Sequence, residues 1–230
     1  MKPIHFRPIA VGVAAFLAFA AGAIAQTKSA AVLNTLEVQE LIKRAEPADH
    51  ARLAQHFAAL ADRYAAEAKR HTAMAQAFLG NPARRVAVNS SADHCKRLAE
   101  LNTESAATLR ELVAHHNSLA AGKASTAPAG AKGFEAGAGA STPTEQELTA
   151  LAAKASTPAD HGKLQEYFVS AEKRYTAQAN EHAAMAQAYR GSRIAQAAAH
   201  CDRLVALSRD SAKEATAAAT MHKELAGSAR

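Results

Sequence analysis

Two sets of four histidines recur along this chain, and each set carries one cysteine and one methionine at fixed positions. The first set comprises His50, His71, His94 and His116, and the second comprises His161, His182, His200 and His222. The accompanying sulfur residues are Met74 and Cys95, then Met185 and Cys201. Imidazole, thiolate and thioether are ligands of copper and zinc, and imidazole also binds haem iron. These residue types predict a transition-metal or haem site, provided that the fold brings them together.

A long repeated segment must position these side chains. Pro47 to Gly80 returns without a gap as Pro158 to Gly191, and half of the aligned positions are identical. Aromatic residues and histidines recur every seven positions, which predicts the a/d seam of an amphipathic helix. In the first copy the series is His50, Phe57, Tyr64, His71 and Phe78, and in the second it is His161, Phe168, Tyr175, His182 and Tyr189.

A second long helix is predicted after each copy, and a short helix before it. Asp49 and Asp160 are predicted N-caps, and Gly80 and Gly191 stop the long helices. Each repeat is therefore a short helix followed by a long antiparallel hairpin, over 33–121 and 144–227. Residues 122–143, rich in Gly, Ala, Ser, Thr and Pro, form a flexible linker. Because one hairpin cannot bury its own apolar stripe, the sequence predicts an all-α, four-helix bundle of two tandem hairpins.

The spacing within each hairpin predicts two polar layers. His182 lies nine positions before Gly191 and His200 nine positions after it, so the hairpin should bring the two side by side. The predicted turn-end layer comprises His71, Met74, His94, Cys95, His182, Met185, His200 and Cys201. The predicted second layer, at the other end, comprises His50, His116, His161 and His222. His56 and His115 are not repeated as histidines in the other repeat, and they are expected at the surface.

Copper is the favoured ligand, because the thioether of a His-x-x-Met pair suits Cu(I). Haem b remains open, since seam histidines on opposing helices can supply two axial ligands. Covalent haem attachment is excluded by the lack of a C-x-x-C-H motif, and a di-iron site is disfavoured by the lack of Glu-x-x-His. The alternative is that the methionines and tyrosines are core packing and that the histidines bind nothing.

The segment 1–25 is typical of a secretory signal peptide. Lys2 and Arg7 precede an uncharged apolar run, and Ala23-Ile24-Ala25 is a small-x-small cleavage site. Cleavage after Ala25 would export the protein, and we expect a periplasmic location. In an oxidising compartment Cys95 and Cys201 are expected to form a disulfide, with two free thiols as the alternative.

Charge and motifs narrow the classes of function. The net charge of +6 becomes +4 without Lys2 and Arg7, and the sequence shows no basic stripe of the kind that binds nucleic acid. No second membrane span is expected, and neither a nucleophile-base arrangement nor a glycine-rich phosphate loop suggests an enzyme. Two hypotheses remain. One is a periplasmic protein that binds copper, another transition metal or haem b. The other is a cofactor-free structural or interaction module of the cell envelope, whose histidines form a polar register layer or a pH sensor and whose partners are a second copy or another envelope protein.

Overall fold

The computed structural model of the protein describes residues 32–82, 86–122 and 143–228, with the side chains of 86–89 left out. The predicted signal peptide and nearly all of the predicted linker lie outside the described residues. Within them the protein is all-helical and has no strand, which confirms the all-α prediction. The six helices are α1 (Thr35–Arg44), α2 (Pro47–Gly80), α3 (Val86–Ala120), α4 (Glu145–Lys154), α5 (Pro158–Arg190) and α6 (Ala197–Ser228).

The start of each repeated long helix differs from the prediction. The N-caps are Glu46 for α2 and Thr157 for α5, and a proline occupies the first turn of each helix. Asp49 and Asp160 stand three positions later, where each carboxylate accepts a hydrogen bond from the backbone N–H of the cap residue, at 3.3 Å in both helices. The PADH motif therefore supplies the third-position acid of a capping box rather than the cap itself.

The long helices pack as two neighbouring pairs. α2 packs against α3 and α5 packs against α6, while α3 and α6 join the two pairs. The short helices lie between α2 and α5: α1 packs against both, and α4 packs mainly against α2. The Asn81 side chain, just after α2, fastens α4 by donating to the backbone carbonyls of Ala152 at 3.2 Å and Ala155 at 3.0 Å. None of the helices in the described ranges combines the length and apolar character that crossing a bilayer requires.

The apolar core consists of two clusters, and each draws on both repeats. The first joins Leu53 and Phe57, near the start of α2, to Tyr189 and Cys201, beside the turn between α5 and α6. The second joins the end of α2 and the start of α3 to the start of α5 and the late part of α6. The turn end of each helix pair therefore lies at the open end of the other, so the two pairs run in opposite directions.

The predicted seam is buried. All ten residues of the two seven-residue series are at most 9% exposed, including the four histidines among them. Burying a Leu or Phe side chain fully contributes about 1.5–3 kcal/mol, which offsets the cost of placing polar imidazoles in the same core. The seam positions were thus predicted from periodicity alone, whereas the partners of the histidines depend on how the pairs pack.

Candidate functional site

At the open end of each hairpin, two buried histidines contact each other. His50 and His116 meet through their Nδ1 atoms at 3.2 Å, and His161 and His222 meet in the same way, also at 3.2 Å. Each contact is a hydrogen bond in which one Nδ1 donates and the other accepts, so the accepting ring is neutral. Burial lowers the pKa of all four histidines, and it lowers those of His116 and His222 to about 3.

The two histidine pairs differ in their third partner. His116 Nε2 lies 2.7 Å from the Tyr189 hydroxyl, which comes from the other repeat. At the repeat-equivalent position His222 meets Phe78, whose ring stacks on the imidazole with a centroid distance of 5.8 Å. His222 Nε2 consequently has no hydrogen-bond partner among the described residues. The pair in the first repeat is fully satisfied, and the pair in the second leaves one buried nitrogen unpaired.

In the middle of the core, each repeat contributes a histidine that contacts a tyrosine of the other repeat. His71 Nε2 lies 3.3 Å from the Tyr175 hydroxyl, and His182 Nε2 lies 3.1 Å from the Tyr64 hydroxyl. Desolvation is the main reason that the pKa of His71 falls to about 3 and that of His182 to about 4. Burial raises the pKa of both tyrosine hydroxyls, so both stay protonated. These contacts are therefore hydrogen bonds between neutral groups.

The remaining two repeat histidines lie at the edge of the core between α3 and α6. His94 Nδ1 is 2.5 Å from Glu214 Oε1, and His200 Nδ1 is 3.2 Å from Glu111 Oε2. Each contact joins one repeat to the other. Because the side chains of His94 and His200 are 23% and 32% exposed, these are partly solvated contacts between an imidazole and a carboxylate rather than buried ligands.

The prediction that Cys95 and Cys201 form a disulfide is wrong. Cys95 and Cys201 are free thiols, and they belong to the two different core clusters. The prediction assumed that the two turn ends meet, whereas the opposed hairpins place them apart. Burial raises the pKa of both thiols, to about 12 for Cys201, so both stay protonated at neutral pH.

The prediction of two four-histidine layers is also wrong, because the two hairpins run in opposite directions. The opposed packing divides the predicted turn-end layer between the two halves of the core. One half receives His71, Met74, His94 and Cys95, and the other receives His182, Met185, His200 and Cys201. The second predicted layer separates into the two pairs His50–His116 and His161–His222. The residues that the structure describes contain no group of three or more His, Cys, Asp or Glu side chains placed to hold a metal ion. Met74 and Met185 lie within the apolar clusters.

Sequence reasoning missed several polar partners. His56, expected at the surface, is only 4% exposed, and its Nδ1 accepts a hydrogen bond from the backbone N–H of Leu33 at 3.1 Å. Burial lowers its pKa to about 4. His115 is half-buried rather than exposed. The signal that could have found His56 is its repeat counterpart Tyr167, an equally buried residue at the matching position of the second repeat.

Comparison with known proteins gives no match to a protein family model, to a curated protein or to a solved structure. The main feature of the described contacts is a set of six buried, neutral imidazoles, each bonded to another imidazole or to a tyrosine hydroxyl.

Proposed function

We propose that the protein is a cofactor-free structural module of the cell envelope. In this proposal the chain is exported by its N-terminal segment, and its two tandem helical hairpins form a four-helix bundle. The histidines of the seam fix how the hairpins pair, and they make the stability of the pairing depend on pH. The capped helices, the shared apolar clusters and the leader-like segment 1–25 support this interpretation.

The observation that carries the proposal is that three buried histidines hydrogen-bond to tyrosines across the boundary between the repeats. These histidines are His71, His116 and His182. His94 and His200 contact glutamates of the other repeat at the partly exposed edge, where such contacts contribute little. Polar partners at the helix interface are a known means of specifying register and orientation.

Similar side chains along the seam allow several wrong pairings of the hairpins. The seam of α2 reads His, Phe, Tyr, His, Phe at seven-residue spacing, so it presents a ring at every position in either direction. Apolar packing therefore discriminates poorly between parallel, antiparallel and slipped hairpins. Leaving one buried polar group unpaired costs about 1–3 kcal/mol, so losing three histidine–tyrosine bonds disfavours a wrong pairing by about 3–9 kcal/mol.

Binding of copper or haem b stays a prediction, and the geometry favours it less. Metal ions need several ligands at one point, and the structure instead pairs each of six buried histidines with another side chain. Bound metal, bound haem and the pairing of the hairpins can all be measured on the same preparation, which separates the two hypotheses.

The two cysteines give a direct assay of hairpin pairing. In the opposed arrangement Cys95 and Cys201 lie in separate clusters, whereas hairpins that run in the same direction would bring both to one end. We expect the wild-type mature chain to keep two free thiols under a mild oxidant. We expect the double variant His71→Leu/His182→Leu to form an intrachain disulfide in part of the population, with an unchanged helical content by circular dichroism.

A matched control is the double variant His94→Gln/His200→Gln, which removes two partly exposed histidines and keeps the buried bonds. It should behave like the wild type. If the Leu variant keeps both thiols free and gives a single well-dispersed NMR spectrum, the histidines do not set the pairing. If wild-type protein purified from its own compartment carries stoichiometric copper or a Soret band that the Leu variant lacks, the metal or haem hypothesis replaces the structural one.

Export and assembly are tested separately. N-terminal sequencing of the protein from a periplasmic fraction should begin at Gln26 if cleavage follows Ala25. Light scattering of the purified chain should give one copy per particle if the hairpins pair within one chain. A dimer that dissociates on dilution together with loss of helix would show instead that the hairpins pair between two chains.

A further inference from the structure

The space between α2 and α5 holds a cluster of five polar side chains near the α4 end of α2. It comprises Glu67, Arg70, His71, Tyr167 and Arg174, hereafter the donor cluster. Arg70 Nη1 donates to Glu67 Oε1 at 2.8 Å, and Arg174 Nη2 and His71 Nε2 each lie 4.0 Å from a Glu67 oxygen. The two arginines also contribute to lowering the pKa of His71, and Glu67, Arg70 and Arg174 all act on the pKa of Tyr167, which places the five groups together.

Hydrogen-bond donors in this cluster outnumber the acceptors. Among the described residues, no partner is present for Arg70 Nε, Arg174 Nη2, Tyr167 OH and His71 Nδ1, each of which is buried. Among the same five side chains, the unpaired oxygens are Glu67 Oε2, which only accepts, and the Tyr167 hydroxyl, which can donate or accept. His71 and Tyr167 are 0% and 3% exposed, so neither can turn to solvent.

The neighbouring hydrogen bonds fix the tautomer of His71. Asn102 Nδ2 donates to the Tyr175 hydroxyl oxygen at 2.8 Å, so that hydroxyl gives its own hydrogen to His71 Nε2. A neutral imidazole that accepts at Nε2 carries its proton at Nδ1. His71 Nδ1 is therefore a donor, and it is the fourth unpaired donor of the cluster.

The donor cluster also carries a positive formal charge. Two guanidinium groups and one carboxylate leave one net positive charge, while the histidine and tyrosine are neutral. Guanidinium, hydroxyl and imidazole N–H groups are the donors with which proteins hold carboxylates and phosphates, and buried unpaired donors are costly without such a partner. We propose that the donor cluster is a binding site for one small oxyanion.

Access to the site runs along α4. A groove of about 880 Å³ lies between α4 and α5, and Tyr167 and Ser170 belong to its lining. Ser170 Oγ accepts a hydrogen bond from Arg174 Nη1 at 3.2 Å, which leaves Nη2 of the same guanidinium for the anion. Lys154 and Lys163 line the groove as well, although Glu147, Asp160 and Glu166 balance their charge. The selectivity for an anion must therefore arise in the donor cluster itself.

The second half of the protein provides an internal comparison. When the two repeats are aligned, Gln178 replaces Glu67, Glu181 replaces Arg70, and Arg63 is the counterpart of Arg174. That half has one arginine rather than two, and Tyr167 is matched by His56, whose Nδ1 is already occupied by the N–H of Leu33. The oxyanion site is therefore specific to one of the two pseudo-equivalent positions.

The experiment measures binding of acetate, phosphate and chloride to the full mature chain by calorimetry, with thermal unfolding as a second readout. We expect saturable binding of acetate or phosphate to one site. Arg174→Gln should weaken it by about tenfold or more, because one charge-assisted hydrogen bond is lost. Arg63→Gln, the matched control, should leave it unchanged. Glu67→Gln should strengthen it, because the competing carboxylate is removed.

The choice between acetate and phosphate tells whether the site takes a planar carboxylate or a tetrahedral oxyanion. Chloride binding as tight as that of the oxyanions, equal losses in Arg174→Gln and Arg63→Gln, or no saturable binding at all would each overturn the proposal. Circular dichroism verifies that every variant is folded. If Arg174→Gln is unfolded, Tyr167→Phe serves as the second variant, and unchanged binding in it would also count against the site.

Discussion

Lowering the pH from about 7.5 to about 5 should destabilise the protein through its buried histidines. Five of them have pKa values of about 3 or 4 in the folded protein: His56, His71, His116, His182 and His222. Their ordinary pKa is 6.5. The unfolded chain therefore binds more protons than the folded one between these values, and stability falls as the pH falls below about 6.5.

The magnitude follows from the distance between the pH and the unfolded pKa. At about pH 5, each histidine that stays neutral in the folded protein costs about 2 kcal/mol, because 1.5 pH units correspond to that energy. Five such groups sum to about 10 kcal/mol, which is the size of the whole stability of a typical domain, about 5–15 kcal/mol. The pKa values of these histidines in the folded protein lie a unit or more below pH 5. The size of the loss at pH 5 is therefore determined by the histidine pKa in the unfolded chain.

The groups around these histidines do not reverse the direction. Arg63, Arg70 and Arg174 oppose protonation of their neighbours, and Glu37 favours it only for His56. The titratable and charged groups that face the five histidines are Glu37, His50, Arg63, Tyr64, Glu67, Arg70, His94, His115, His161, Tyr167, Arg174, Tyr175 and Tyr189.

Urea unfolding, followed by far-ultraviolet circular dichroism at a series of pH values, measures the effect. The chain has no tryptophan, and the helical signal is its strongest probe. The slope of the unfolding free energy against pH should approach five protons near pH 5. In His71→Leu/His182→Leu it should fall by about two protons, because two of the five groups are gone.

Carboxylates do not confuse the result. The pKa values of Asp49 and Asp160 are lowered from 3.8 by their hydrogen bonds, so their contribution is lost only when the pH falls below that value. A slope below one proton between about pH 6.5 and pH 5 would refute the reasoning, since it would mean that the folded protein accommodates protonated imidazoles at these positions.

Three further outcomes are expected. Tyr189→Phe should lower the unfolding free energy by about 1–3 kcal/mol because His116 Nε2 loses its partner, whereas the converse change Phe78→Tyr should raise it by about 1 kcal/mol by supplying a hydroxyl to His222; urea unfolding of both checks this, and equal shifts of the same sign would contradict it. Asn81→Ala should cost about 1–3 kcal/mol through two lost hydrogen bonds and should increase hydrogen exchange in α4 before the other helices; uniform exchange would show that α4 is held otherwise. Both cysteines should resist alkylation at neutral pH and react only on unfolding, and fast labelling of the native protein would contradict their buried, protonated state.

The helices and the buried seam could be predicted from the sequence because both depend on local information. The predicted glycine stops agree with the observed C-terminal ends of α2 and α5 within one residue, whereas the predicted caps Asp49 and Asp160 lie three positions after the observed ones. The seven-residue spacing predicted seam positions that are all buried, the four histidines among them included. The predicted second layer contained the members of both observed pairs, His50 with His116 and His161 with His222, since a hairpin of known turn position fixes which residues face each other.

Only the tertiary structure shows in which relative direction the two hairpins pack against each other. The seam offers similar apolar residues in either direction, so periodicity does not say whether the turn ends meet or lie apart. The choice depends on contacts between residues far apart in the sequence, such as His116 with Tyr189, 73 positions apart, and Tyr64 with Ser208, 144 positions apart, which no local pattern encodes. The opposed packing places Cys95 and Cys201 in separate clusters, brings no four histidines into one layer, and forms the donor cluster between α2 and α5.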